Sequence, residues 1–243
     1  MKTTIIIPTF NEAQNLPKLL DIVLALPIKK LGVLIVDDNS ADGTGEAADS
    51  YAARYPERVR VMHREGKLGL GSAYIQGMQK LLEGDSDVIG QMDADFSHDP
   101  LKIAELIDNL KCADVAIGSR YIPGGSLDDD WPIWRKWLSN FGNFYARTIL
   151  RLPIHDVTGG YRMWRRETLA AMPLERVRSN GYIFQVEMAY VAYRLGFRFS
   201  EIPIHFAERQ WGASKMSFRI QREAALRVWS LAKEYRDLKN PRI

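Results

Sequence analysis

Short β-branched apolar runs alternate with segments of helical spacing through the first half of this chain, and that alternation limits its fold more than any other feature. The runs at 3–8, 33–36, 59–62, 87–92 and 114–118 read as strands. Between them, the stretches that follow Asn11 and those at 41–55, 71–82 and 100–110 read as helices. Leu16, Leu19, Leu20, Val23 and Leu24 share one helical face, with Asn11 as the expected N-cap and Ser40 or Asp42 as that of the next helix. Strands separated by helices are joined by crossovers, which predicts an α/β fold: a Rossmann-like, mostly parallel sheet with helices on both faces. Ligands of such sheets lie beyond the carboxyl ends of the strands. The sequence places Asp37, Asp38, Asp93 and Asp95 there.

The second half is less regular. Residues 131–152, 182–195 and 216–238 read as helices, and 159–164 and 197–206 as strands. There is no low-complexity linker and no internal repeat.

Charge and composition exclude several classes. A formal net charge of +3 over 243 residues is too small for a chain whose main partner is nucleic acid. The pI of 8.9 suits an anionic small ligand or an anionic membrane surface. Cys112 is the only cysteine, so neither an internal disulfide nor a cysteine zinc site is available, and it is expected as a small buried hydrophobe. The apolar start stops at Pro8, too short for a signal peptide, and no run of about 18 apolar residues could span a bilayer. The expected location is the cytoplasm.

The sharpest chemical feature is Met92-Asp93-Ala94-Asp95, an apolar strand running into two carboxylates one small residue apart. Residues two apart in an extended segment face one way. Two such carboxylates repel unless a cation lies between them, and oxygen donors suit Mg²⁺ or Mn²⁺. An exposed turn or helix cap is the competing reading of Asp-x-Asp. Asp37 and Asp38 end another strand, where acids can meet a ribose or a base edge.

Gly43-Thr44-Gly45 and Gly69-Leu70-Gly71 imitate dinucleotide glycines, but neither directly follows the first strand, and no Gly-Lys-Ser/Thr phosphate loop occurs. Cations able to face phosphates are Arg120, Arg162, Arg209 and Lys215. The histidines show no zinc spacing, and His98 reads either as a helix-start residue or as a neighbour of the metal.

Eight stretches in order resemble the polyprenol (dolichol) phosphate mannose synthases, a branch of the family 2 glycosyltransferases with a GT-A fold. They are Pro8-Thr9-Phe10-Asn11-Glu12, Val36 to Thr44, Lys67 to Tyr74, Met92 to His98, Gly118-Ser119-Arg120-Tyr121, Thr158 to Arg162, Gly181 to Glu187, and Glu208 to Lys215. The resemblance implies one GT-A domain over 1–243, with a nucleotide-binding half to about residue 120 and an acceptor-side half after it. It implies that Pro8, Phe10, Glu12, Val36 and Asp38 line the base and ribose. Asp93, Ala94 and Asp95 would meet Mg²⁺ or Mn²⁺ and the pyrophosphate, and Arg120, Arg209 and Lys215 the phosphate oxygens and the sugar. Phe10 stands where some members have Tyr, and Ser97 where some carry Gln, which puts a third protein ligand to the metal in question.

The implied reaction moves mannose from GDP-mannose to a polyprenyl phosphate with inversion. The attacking phosphate oxygen is ionised at neutral pH, so positioning and electrostatics suffice without a general base. Three alternatives stay open at this point: a UDP-glucose donor, a hydroxyl acceptor with Glu187 as base, and a non-catalytic nucleotide-sugar-binding subunit. The lipid acceptor requires a membrane surface. Trp131, Trp134, Trp137, Phe141, Phe144, Tyr145 and Ile149, interleaved with Arg135, Lys136, Arg147 and Arg151, suit an interfacial helix on the cytoplasmic face of a membrane. Packing of the same aromatics on the sheet is the competing reading, and a separate membrane-anchoring subunit is a further expected partner.

Overall fold

The computed structural model describes residues 1–208 and 218–238. In chain order the elements are β1 (Thr3–Thr9), α1 (Leu16–Ala25), β2 (Leu31–Asp37), α2 (Thr44–Arg54), β3 (Val59–His63), α3 (Leu70–Leu82) and β4 (Val88–Gln91). After one 3-10 turn come α4 (Ile103–Asn109), β5 (Val115–Ser119), β6 (Ser126–Leu127), α5 (Ile133–Leu150), β7 (Arg162–Arg165) and α6 (Arg166–Ala171). The chain continues with α7 (Tyr182–Arg194), β8 (Phe199–Pro203), β9 (His205–Phe206) and α8 (Phe218–Glu234).

Seven strands form one sheet in the order β3-β2-β1-β4-β7-β5-β8, and β6 pairs with β9 in a small second ribbon. Every pairing in the main sheet is parallel except the two that β7 makes. The α/β reading therefore holds. Period-two alternation divides the strand side chains between two cores. Ile5, Ile7, Val33 and Ile35 face α1, α2 and α4, while Ile6, Leu34 and Val36 face α3 and the later helices. Helix α7 is buried on nearly all sides, as a helix between a sheet and another helix must be.

Four expectations are corrected. Asn11 does not cap α1: it takes a left-handed conformation (φ 59°) and its side chain accepts the Ala41 amide at 3.1 Å. The second helix begins at Thr44, because Asp42 uses its carboxylate on the Ala13 and Thr44 amides, tying two loops together. Residues 197–206 divide into β8 and β9, which belong to different sheets. Cys112 is exposed rather than buried.

Strand order sets where a ligand can sit. The chain winds from β1 out to β3 and returns to place β4 on the other side of β1. The crevice between the carboxyl ends of β1 and β4 is the switch point at which open α/β sheets bind ligands. No helix among the described residues is long and apolar enough to cross a membrane.

Candidate active site

The loops beyond β1 and β2 form one bonded unit. Buried Asp37 accepts Thr9 Oγ1 at 2.9 Å and Ser40 Oγ at 2.6 Å, and the Glu12 amide donates to Thr44 Oγ1 at 2.8 Å. Asp37 thus holds the loop. Asp38 lies in a buried ion pair with Arg64, whose Nε and Nη2 both meet its Oδ1, at 2.6 and 2.5 Å. Arg64 also donates to Ser72 Oγ and to the Gly69 carbonyl, drawing the start of α3 to this edge. Val36 is fully buried, Pro8 half-buried, and Phe10 exposed at the rim.

Beyond β4, Met92 and Ala94 are buried, Asp93 is half-buried and Asp95 is 5 % exposed. Phe96 turns the chain through a left-handed conformation (φ 63°), and the Ser97 amide returns to Asp95 Oδ1 at 3.1 Å. Tyr74 of α3 donates its hydroxyl to Asp93 Oδ1 at 3.0 Å. Burial, and then the charges of Asp93 and Asp95, push the Tyr74 phenol well above its ordinary range, so both carboxylates lie near that hydroxyl.

His98 lies behind the acids. Its Nδ1 accepts the Asp93 amide at 3.1 Å, which requires that nitrogen to be unprotonated, and burial lowers the ring's pKa accordingly. The ring stacks on Tyr161 at 4.8 Å and meets the edge of Phe206 at 5.6 Å. Of the two readings of His98, the structure selects neighbour of the acids, since Asp99 rather than His98 caps the following turn.

The donor set fits a hard divalent cation. It consists of two carboxylates and, two residues on, the hydroxyl of Ser97, whose buried Oγ has no hydrogen-bond partner among the described residues. Three or more His, Cys, Asp or Glu side chains grouped as metal ligands do not occur among the described residues.

The predicted cations separate. Arg209 and Lys215 lie outside the described residues. Arg162 is fully buried and donates to the carbonyls of Gly159, Gln185 and Val157, and burial brings its pKa down to about 10. It is therefore a clamp on the backbone and does not face phosphates. Arg120 is within electrostatic reach of His98, as both acids are, and it is bidentate on Asp156, with Nε to Oδ2 and Nη2 to Oδ1 both at 2.7 Å. Desolvation works against its charge, and the Asp156 carboxylate more than restores it. Among the described residues these bonds, with Nη2 to Thr158 Oγ1 at 2.8 Å, leave Nη1 without a hydrogen bond.

Glu187 is fully buried and accepts the Ser179 amide, the Tyr235 hydroxyl at 2.8 Å and Arg227 at 3.3 Å. A carboxylate used in this way anchors α8 to α7.

Sequence reasoning missed Tyr74, Arg64 and Asp156. Tyr74 carried a usable signal, since it falls one turn into a helix whose start packs at the site. A Cβ at Gly71, in the first turn of that helix, would strike the Ser179 carbonyl oxygen.

Comparison with known proteins places the family and the fold. The model of glycosyl transferase family 2 matches residues 4–172. Polyprenol monophosphomannose synthase of Mycolicibacterium smegmatis is 46 % identical over 229 residues, covering 93 % of this chain and 85 % of the relative. Undecaprenyl-phosphate mannosyltransferase of Micrococcus luteus is 45 % identical over 241 residues, covering 98 % of each. Among solved structures, glucosyl-3-phosphoglycerate synthase of Mycobacterium tuberculosis, in complex with Mn²⁺, uridine diphosphate and phosphoglyceric acid, superposes with a TM-score of 0.67. That match has 16 % identity and covers 96 % of this chain and 78 % of that one. The same enzyme with Mg²⁺ and uridine diphosphate gives 0.65. With its GT-A-like sheet and two acids at the switch point, the chain belongs to glycosyltransferase family 2.

Proposed function

We propose that the protein transfers mannose from GDP-mannose to a polyprenyl phosphate, inverting the anomeric carbon, and that 1–243 acts as one GT-A unit. The reading is carried by Asp93 and Asp95 at the β1–β4 switch point, in a chain 45–46 % identical to two relatives named for mannose transfer to polyprenol or undecaprenyl phosphate. The insertion of β7 between β4 and β5 joins the two halves in one sheet and supports the single unit.

In this reading Pro8, Phe10, Glu12, Val36 and Asp38 receive base and ribose, and Asp93, Ala94 and Asp95 face the pyrophosphate. Asp93 and Asp95 hold Mg²⁺ or Mn²⁺, which when bound supplies positive charge to the departing diphosphate. Tyr74 and His98 fix Asp93 through its carboxylate and its amide. Arg120, through Nη1, with Arg209 and Lys215, holds phosphate oxygens. No side chain has to remove a proton from an acceptor that is already ionised. The use of Glu187 as an internal anchor disfavours the hydroxyl-acceptor alternative.

A lipid acceptor requires a membrane-facing surface. Ile133, Trp134, Trp137, Phe141 and Phe144 of α5 form an exposed stripe, each 61–76 % accessible. Leu226 and Trp229 of α8 extend it, and Trp229 Nε1 donates to the Tyr145 hydroxyl at 2.9 Å. Trp131 is buried under Arg135 and against Phe206, and Tyr145 and Ile149 pack on the core, so the helix divides between the two sequence readings. We assign the exposed stripe to the cytoplasmic face of a membrane, contacted peripherally, alone or with a separate membrane-anchoring subunit.

The test is to incubate the protein with labelled GDP-mannose, Mg²⁺ or Mn²⁺ and a short polyprenyl phosphate. Labelled lipid is expected, uncompeted by excess UDP-glucose. Transfer from UDP-glucose alone would refute the donor assignment. Flotation with anionic vesicles, lost on Trp134→Ser with Trp137→Ser, tests the surface.

A further inference from the structure

We propose that Lys67 selects guanine in the base pocket; this rests on the GDP-mannose reading above and specifies how that base is recognised. Phe10, the first residue beyond β1, presents a flat apolar ring at the pocket rim with 36 % of its surface exposed. The Lys67 ammonium stands 3.8 Å from the centroid of that ring. A base stacked on Phe10 and the Lys67 ammonium therefore compete for one face, and the ammonium, on a flexible four-carbon stem, moves to the edge of the base.

The backbone that carries Lys67 is held at both ends. Before it, Arg64 bonds Asp38, Ser72 and the Gly69 carbonyl, closing the 64–72 segment on itself. After it, Gly69 takes a φ of +100°, and a Cβ there would lie 2.9 Å from the Asn180 side chain. Lys67 itself is exposed between these anchors. It is a mobile donor on a fixed base, directed at the platform.

The nearby acceptor is Asp38, whose amide donates to the carbonyl of Thr9, the residue before Phe10, at 3.0 Å. Both Arg64 contacts fall on its Oδ1, which leaves Oδ2 for a ligand. A carboxylate oxygen and an ammonium brought to the loop that carries Phe10 match guanine, which offers N1–H and N2–H₂ as donors along one edge and O6 and N7 as acceptors along another. Adenine presents an amino donor where guanine has O6. Uracil has no counterpart of N7 and no amino group. Lysine donating to O6 and N7 is a recurring way of reading guanine.

Isothermal titration of GDP, ADP, UDP and 7-deaza-GDP, each with Mg²⁺, into wild type, Lys67→Met and Lys67→Arg tests the assignment. Lys67→Met should lose at least about fivefold in GDP affinity, with ADP and UDP changed by less than about twofold, and Lys67→Arg should retain GDP. On wild type, 7-deaza-GDP, which lacks the N7 acceptor, should bind more weakly than GDP, and the Met variant should not distinguish the two. Because this last comparison begins with unaltered protein, misfolding of a variant cannot imitate it. A wild type that prefers GDP, with a folded Lys67→Met that keeps the whole preference, would overturn this inference alone. A wild type that prefers UDP would overturn the donor reading and this inference with it.

Discussion

Two buried arginine–aspartate pairs lie near the carboxyl edge of the sheet, and they use the same chemistry to opposite ends. In Arg64–Asp38 the side chains are 3 % and 8 % exposed, and in Arg120–Asp156 they are 5 % and 0 %. Arg64 takes only Oδ1 of its partner. Asp156 instead accepts the Arg120 amide and Nε on Oδ2, and Arg120 Nη2, the Thr158 hydroxyl and the Gly159 amide on Oδ1. A carboxylate has about four lone-pair sites, so Asp156 is saturated and Asp38 is not. The first pair leaves an oxygen for a ligand. In the second the carboxylate uses every site to hold the 156–159 turn and to position Arg120. In a buried ion pair the member with unfilled hydrogen-bond capacity is the one placed to meet a ligand, here Asp38 in the first pair and Arg120 in the second.

The largest effect expected from this difference is on stability. Asp156→Ala strands the Arg120 charge and releases two backbone amides, and removing one partner of a buried pair costs about 3–5 kcal/mol. A urea melt should show the midpoint falling by that equivalent. An unchanged midpoint would mean that Asp156 is not the structural member of the two pairs.

Next in size is the effect of removing a charge that the reaction itself uses. Asp95→Ala should cut transfer at least about a hundredfold, as loss of one transition-state charge contact does. Thermal melting should change far less than for Asp156→Ala. Near-normal turnover by folded Asp95→Ala would refute the assigned role of the acidic pair.

A smaller and sharper test exchanges only one carboxylate oxygen. Asp38→Asn keeps one acceptor for Arg64 and turns the ligand-facing position into a donor. GDP affinity should fall by about tenfold, within the range for one lost bidentate base contact. Asp156→Asn should lower stability and cost less GDP affinity than Asp38→Asn, since its carboxylate offers no site to a ligand and acts only through Arg120. Equal loss in both variants would erase the distinction between the pairs.

The same contrast explains how much was legible from the residues alone. The strand–helix order of the first half was readable because buried parallel strands are short β-branched runs and the acids end them. The candidate acids were readable because they stand at those ends. Partnerships were not readable, since Asp156 lies 36 residues from Arg120, and Arg64 lies 26 from Asp38. At such separations a lone charge in sequence looks like a solvated one. Arg162 was misread toward phosphates for that reason, although its three acceptors are backbone carbonyls with no side-chain signature. The strand at 159–164 was readable as extended chain, but its antiparallel run through the middle of the sheet was not. Four residues, Arg162–Arg165, carry no record of direction; β4 and β5 on either side impose it. Helix starts shifted by a few residues where Asn11 and Asp42 tie loops together in place of capping.

The smallest expected effect appears only in acid. Desolvation raises the Asp156 pKa, but the Arg120 guanidinium and its hydrogen bonds outweigh it, so in the folded protein the carboxyl lies below its ordinary value of 3.8. A depressed carboxylate contributes stability that is present in full above its unfolded pKa and is lost as pH falls through the folded value. Wild type should therefore lose its stability advantage over Asp156→Asn progressively below about pH 4, and keep it unchanged from there to neutrality. Denaturant melts of both proteins at matched pH check this. A difference that stayed constant down to complete acid unfolding would show that the pair stabilises by packing and hydrogen bonding alone, with no contribution from the charge on Asp156.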